Sequence, residues 1–405
     1  MKGLGQTIKY IFIILCMITI VWSIKYIWQQ EKWSPIDEYA HMDYIEKMRE
    51  GMMPKLHYAI AHDIYQNLTE QPVRMFTPPV HSREELGMGN YSYQAKHPPL
   101  YYVALLAPNM ILKKMGYDAF QRLKVLRLIS YLLFAFATFL YIPLFKLLKQ
   151  KGYLIPDFYP WFCVLFSLLL ATHQRYGLTN NMLSPLFINA SLLFVFKYQL
   201  TTQIKFLYTS ILLAGLSICV ALTNVFIVPF ILLYALIIYW PNFSLKTFFC
   251  ALAILLIPTI IIVWWKIVTT PDEKFEEYVQ NLLFAIIPAN ALSFKIFIEL
   301  LLNDSFQLSF ISEKIDLSKI YLLFLGINIS VCLVFIKTII KKHIWILYAL
   351  FIFSIFILNL YFLNKYVARV HWVALRNYMG FIPIIFISCS SFIVVISEKI
   401  KNKIA

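Results

Sequence analysis

Asp37, Glu38 and His41 put two carboxylates and an imidazole within one helical turn, directly after the first apolar run of the chain. That set suits a general base or part of a metal site, with Glu38 and His41 as the candidates for holding a divalent cation. A plainer reading has the two acids complement the positive end of an amphipathic helix that runs on through Arg49. The same loop closes on His97-Pro98-Pro99-Leu100-Tyr101-Tyr102. Two prolines in succession hold His97 in one direction, while paired tyrosines equally fit an interfacial aromatic belt. Further on stand His173, Arg175 and Asn180-Asn181, and late in the chain Lys365, Arg369, His371, Arg376, Asn377 and Tyr378. Arginines at a membrane edge commonly snorkel, and that accounts for Arg369 as well as a binding role does. Arg376 differs, because it abuts an apolar run beside Asn377 and Tyr378; such a cluster requires an anionic partner, and phosphate suits it.

The elements that must position these groups are set by composition. Of 405 residues, 60% are hydrophobic and 17% aromatic, while 14% are charged, against roughly 25% in soluble domains. No soluble domain of this size has an interior large enough for that apolar content, so the chain is expected to be an all-α, polytopic membrane protein. Disorder and a disulfide scaffold are excluded. Apolar runs lie near 10–28, 126–145, 158–172, 182–198, 206–222, 225–240, 247–265, 320–336, 344–362 and 378–396, which predicts ten spans. The first follows Lys2 and Lys9 and has no small-x-small cleavage site before Lys25, so it reads as an uncleaved signal anchor.

Residues 100–112 are apolar but short and interrupted by Pro108. If they lie in the interface instead of spanning, the turns on one side carry 14 lysines against Asp157 and Glu398 alone. The other side is then close to balanced in charge. Letting 100–112 span would reverse every later loop and break the positive-inside rule, so an interfacial helix is expected there. The result is one integral-membrane domain over 1–405, with short lysine-bearing turns inside and large extracytoplasmic loops at 29–125 and 266–319. The chemistry belongs on the outer face, because long loops usually carry function.

The net charge of +15 follows from those inner turns, and no nucleic-acid partner is expected. Cys16, Cys163, Cys219, Cys250, Cys332 and Cys389 all fall inside apolar runs without a CxxC pair, as small buried hydrophobes do. Walker, GxGxxG, HExxH and GxSxG signatures are absent.

In this order, the pieces resemble the GT-C superfamily of integral-membrane glycosyltransferases, most closely the family 39-like enzymes that use polyprenyl-phosphate sugars. Asp37-Glu38 after the first span, the His97–Tyr102 element closing the first loop, Arg127 opening the second span, and Arg376, Tyr378 and Pro383 near the last loop carry the resemblance. The chain departs from the family at Asn180-Asn181, where Asn-Asp is frequent, and at Asn224, where lysine is common. The resemblance implies inverting transfer of a sugar from a polyprenyl-phosphate donor to a lipid, glycan or protein acceptor, with Asp37 as base. It implies that Arg376, helped by Arg369 or His371, stabilises the departing lipid phosphate, and that Glu38 and His41 orient Asp37 or hold a divalent cation. His97, Tyr101, Arg175 and Tyr378 complete the expected substrate contacts. Independently of the family, nucleotide sugars are made inside the cell, so a transferase acting outside needs its sugar delivered on a lipid. The expected setting is a bacterial cytoplasmic membrane, with membrane lipids around the spans and the site facing out. Two other readings share the lipid partner: a flippase or transporter of lipid-linked glycans, and a ligase or polymerase of surface polysaccharide. Transporters tend to show internal repeats and broken spans with intramembrane charges, whereas here charges collect at the rim and Gly totals 11.

Overall fold

A computed structural model describes residues 2–30, 38–55, 61, 64, 93–151, 155–173, 177–222, 224, 228–239 and 244–269. The expected spans at 320–336, 344–362 and 378–396, the loop from 270 onward, and Asp37, Arg175, Arg369, His371, Arg376 and Tyr378 lie outside the described residues. Within them the chain is helical and without strands. In chain order the helices are α1 (Lys2–Gln29), α2 (Glu38–Arg49), α3 (Leu100–Lys114), α4 (Ala119–Phe139), α5 (Tyr141–Gln150), α6 (Tyr159–His173), α7 (Ser184–Thr201), α8 (Ile204–Ile218), α9 (Val228–Tyr239) and α10 (Leu245–Thr269). Short 3-10 turns precede α3 at Tyr93–Lys96 and α7 at Asn180–Met182.

Local chemistry sets the boundaries. Glu38 occupies the first turn of α2, and Lys47 and Arg49 the last, each at the favourable end of the helix dipole. Gly116, at φ +83°, ends α3 in a backbone region open chiefly to glycine. Two residues later Asp118 starts α4 with a capping box: its carboxylate accepts from Gln121 N at 2.7 Å, and its own N–H donates to Gln121 Oε1 at 3.0 Å. The expected span at 126–145 therefore begins two turns earlier, at Ala119, and is interrupted after Phe139. Pro143 supplies the reason, since it has no N–H for the Phe139 carbonyl and divides α4 from α5.

Among the described residues four helical stretches are long and apolar enough to cross a membrane: Gly5–Gln29, Ala119–Gln150, Asn180–Thr201 and Leu245–Thr269. Tyr159–Leu169 and Ile204–Ile218 are shorter apolar helices. Within the expected span at 225–240 the described residues form the 12-residue α9. An all-α membrane protein is the level at which architecture and sequence agree. Helix α1 exposes Ile11, Ile14, Met17, Ile18, Val21 and Trp22, and α10 exposes Phe249, Leu252, Leu256, Ile257 and Ile260. Apolar stripes of that size suit hydrocarbon rather than water. Residues 100–112 form α3, whose 15 residues reach about 22 Å; one face buries Tyr101, Tyr102, Leu105 and Asn109 and the other exposes Val103, Met110 and Ile111.

The main core packs α1 and α4–α9 around Phe134, Leu168, Leu192 and Phe196. A second cluster built on Tyr39, Ile45, Tyr101, Tyr102, Leu126, Val220 and Trp265 gathers where α8 and α10 finish and α4 begins. Backbone and side-chain bonds join the segments there: Leu100 N donates to Cys219 O at 3.1 Å, and Trp265 Nε1 to Ala95 O at 3.3 Å. Helices α8 and α10 approach so closely that a Cβ on Gly215 would lie 2.5 Å from Pro258 Cγ. At the opposite end, Lys149 pairs with Asp157, and Lys151 donates to Gln199 Oε1 across the short turns.

Candidate functional site

The carboxylate end is organised by α2, whose residues from Glu38 to Lys47 are all buried although most are polar. Burying ionised groups is costly unless each is paired, and here Glu38 and Glu46 find their counter-charges on α4 while Asp43 and Lys47 pair within α2. Glu38 is fully buried and is gripped by Arg127 from α4: Nε donates to Oε1 at 2.7 Å and Nη2 to Oε2. Leu178 N also donates to Oε1, at 2.9 Å. One turn along α2, Asp43 accepts from Ala61 N at 2.8 Å and faces Lys47 Nζ at 3.2 Å. Glu46 takes Arg122 Nη1 at 2.6 Å, Asn109 Nδ2 at 2.9 Å and Arg49 Nε at 2.9 Å. Arg122 and Arg127 both belong to the first part of α4, so one capped helix supplies the guanidinium for both buried glutamates.

Around this frame sit the histidines and tyrosines. His41 Nδ1 and the Tyr102 hydroxyl are 2.8 Å apart. His41, Tyr102, Tyr44 and Trp265 follow one another as near-parallel rings, with centroid separations of 5.7, 3.5 and 5.6 Å. This column ties α2 and α3 to the end of α10. Tyr44 donates to the His97 carbonyl at 2.9 Å, and Tyr101 shares a hydrogen bond with Ser130 at 3.0 Å. Burial, with the nearby Tyr102, pushes the Tyr44 hydroxyl well above its ordinary range. Burial does the same for Tyr101; Ser130 draws it partly back and the charge of Glu38 pushes it further up. Both stay protonated at any working pH and act as neutral hydrogen-bonding groups.

His97 is half-buried, its ring 6.3 Å from that of His41 and its Nδ1 3.5 Å from Asn180 Nδ2. Asn180 also donates to Val220 O at 3.0 Å. Glu38, His41, His97 and Tyr101 thus meet in one place, and Asn180, where the chain departs from the family pattern, joins them from up to 142 residues away. Arg127 also meets them there, from within α4 and not from its first residue. Asn224, the other departure from the family pattern, is buried and donates to Ser184 Oγ at 3.1 Å and Ser217 O at 2.8 Å. It ties the end of α8 to the start of α7.

For a divalent cation the described geometry is unfavourable at Glu38, because both its oxygens already meet a guanidinium. Among the described residues no three His, Cys, Asp or Glu side chains gather as a metal site. Asp43, Glu46, Lys47, Asn109 and Arg122 were not singled out from sequence. The signal available was the density of acids and bases over 38–49, matched by two arginines five residues apart just ahead of the apolar run of α4.

Compared with known proteins, the chain matches no family model, no curated protein and no solved structure.

Proposed function

We propose that the protein is a membrane glycosyltransferase that moves a sugar from a polyprenyl-phosphate donor to an acceptor on the extracytoplasmic face, with inversion. The observation that carries this reading is the convergence of Glu38 with the His97–Tyr102 element and Arg127, residues on which the family resemblance rests. Asp37, bonded through the chain to Glu38, is the proposed base, accepting the acceptor hydroxyl's proton as its oxygen attacks the anomeric carbon. The bond from that carbon to the phosphate oxygen breaks, and the electron pair leaves with the polyprenyl phosphate. Arg376, with Arg369 or His371, is proposed to meet that charge. His97, half-buried, offers a hydrogen bond for sugar or acceptor, with His41 and Tyr101 buried behind it and bonded to Tyr102 and Ser130, and the lysine-bearing end faces the cytoplasm.

The test is to incubate purified protein with a panel of polyprenyl-phosphate sugars and measure release of the lipid phosphate. Release with at least one donor is expected, and Asp37→Asn should slow it by roughly 100-fold or more, the size expected for loss of a positioned base. Transfer of whole lipid-linked glycans between leaflets of proteoliposomes without any release would replace the transferase by the flippase reading.

A further inference from the structure

We infer that Glu38 is a positioning residue and not the base. Its carboxylate is the joint that sets the 177–182 segment and the start of α2 against α4. What is positioned for chemistry rests on the transferase reading; the joint itself does not. A general base has to present an oxygen to the hydroxyl it deprotonates. Glu38 has no exposed surface, and its two oxygens are taken by the planar fork of Arg127 and by Leu178 N–H. A fork on a carboxylate fixes direction as well as distance, which a single point charge does not.

The partners are remote in the chain, 89 residues for Arg127 and 140 for Leu178, so a single carboxylate closes three segments on one another. Arg127 belongs to a helix whose start is fixed by the Asp118–Gln121 capping box, which makes α4 the rigid member. Leu178 lies two residues before Asn180, whose side chain reaches both His97 and Val220 O. Through Leu178 the joint therefore acts on Asn180 and His97, and Asp37 is its neighbour in the sequence. The Asp-Glu pair divides its work: one acid reacts and its neighbour holds.

Two measurements on the full-length protein in nanodiscs test this together. The first is amide hydrogen exchange. Glu38→Gln should speed exchange across 177–182 by at least 10-fold while α8 amides stay unchanged, and Arg127→Lys, which keeps the charge but loses the fork, should do so by a smaller factor. Unchanged exchange at 177–182 in both variants overturns the inference. Should Glu38→Gln fail to fold, Arg127→Lys alone carries the same comparison. The second is the pH profile of lipid-phosphate release. A positioning role predicts that Glu38→Gln lowers the rate at all pH values with the acidic limb where it was in wild type. Loss of that limb in Glu38→Gln, with its retention in Asp37→Asn, overturns the inference and makes Glu38 the base. If the wild type releases no lipid phosphate, the transferase reading fails, and the exchange measurement still decides the joint.

Discussion

The two ends of the helical bundle use ion pairs in opposite ways. At the lysine end, Lys149 and Asp157 meet in a short turn with side chains 32% and 68% exposed. At the carboxylate end, Glu38–Arg127 and Glu46–Arg122 are wholly buried. Exposed pairs are worth about 0–1 kcal/mol, whereas removing one member of a buried pair costs about 3–5 kcal/mol because its partner is left charged and dry. Charges at the first end can mark sidedness by their number alone. Charges at the second end are specified one by one, because each has to find a particular partner.

The largest effect is expected at Arg127. Arg127→Ala leaves Glu38 buried without its fork and should lower stability by about 3–5 kcal/mol, read as a large drop in melting temperature in detergent. Glu46→Gln comes next: Asn109 and one hydrogen bond from Arg122 survive, so a loss of about 2–3 kcal/mol is expected. Replacing the pair together, as Glu46→Leu with Arg122→Met, should recover most of that loss, because a well-packed apolar pair avoids the desolvation cost. A double variant as unstable as the single one would mean that Asn109 and Arg49 depend on the carboxylate itself.

At the other end the changes are smaller. Burial lowers the Lys151 amine from its usual 10.5 to about 8. Its folded-state value lies below the unfolded one, so the unfolded chain binds more protons between the two, and stability should rise as pH climbs from about 8 towards 10.5. NMR of the dimethylated amine would give the midpoint, and one near 10.5 would remove the effect. The Lys149 hydrogen bond and charge hold the Asp157 carboxyl below its ordinary range. That contribution is present above the unfolded value and is lost as pH falls through the folded one. With both groups exposed it is screened, and Lys149→Ala should cost less than about 1 kcal/mol. A larger loss would erase the contrast between the ends.

How much of this was legible in the sequence follows the same division. The apolar runs at 158–172 and 182–198 fall on α6 and α7 within a few residues, because hydropathy over a long run reports burial in hydrocarbon directly. The start of α4 was missed although Asp118-Ala-Phe-Gln121 spells a capping box, since hydropathy rises only near Leu126. Pro143 was equally visible, and its division of the run was not drawn. At the site, Glu38, His41 and His97 could be chosen by type and spacing. That Glu46 would be taken by Arg122, 76 residues away, was not readable, because no local pattern encodes which helix end faces which loop. Helix α2 reads as amphipathic from sequence, and it is buried because Arg122 and Arg127 of α4 neutralise Glu46 and Glu38 while Asp43 and Lys47 pair within it.

The contact between Gly215 and Pro258 gives α10 a fulcrum. Pro258 lies inside that helix and leaves the Ile254 carbonyl without its usual N–H, so the helix is weakest in bending where it leans on α8. Trp265 is seven residues further on, a lever arm of about 10 Å at 1.5 Å per residue. A tilt of about 10° at the fulcrum would carry the indole by nearly 2 Å by the same geometry, enough to unstack it from Tyr44 and withdraw the last ring from the column that ends at His41. The missing side chain at position 215 thus permits the close approach of α8 and α10 from which Trp265 reaches Tyr44.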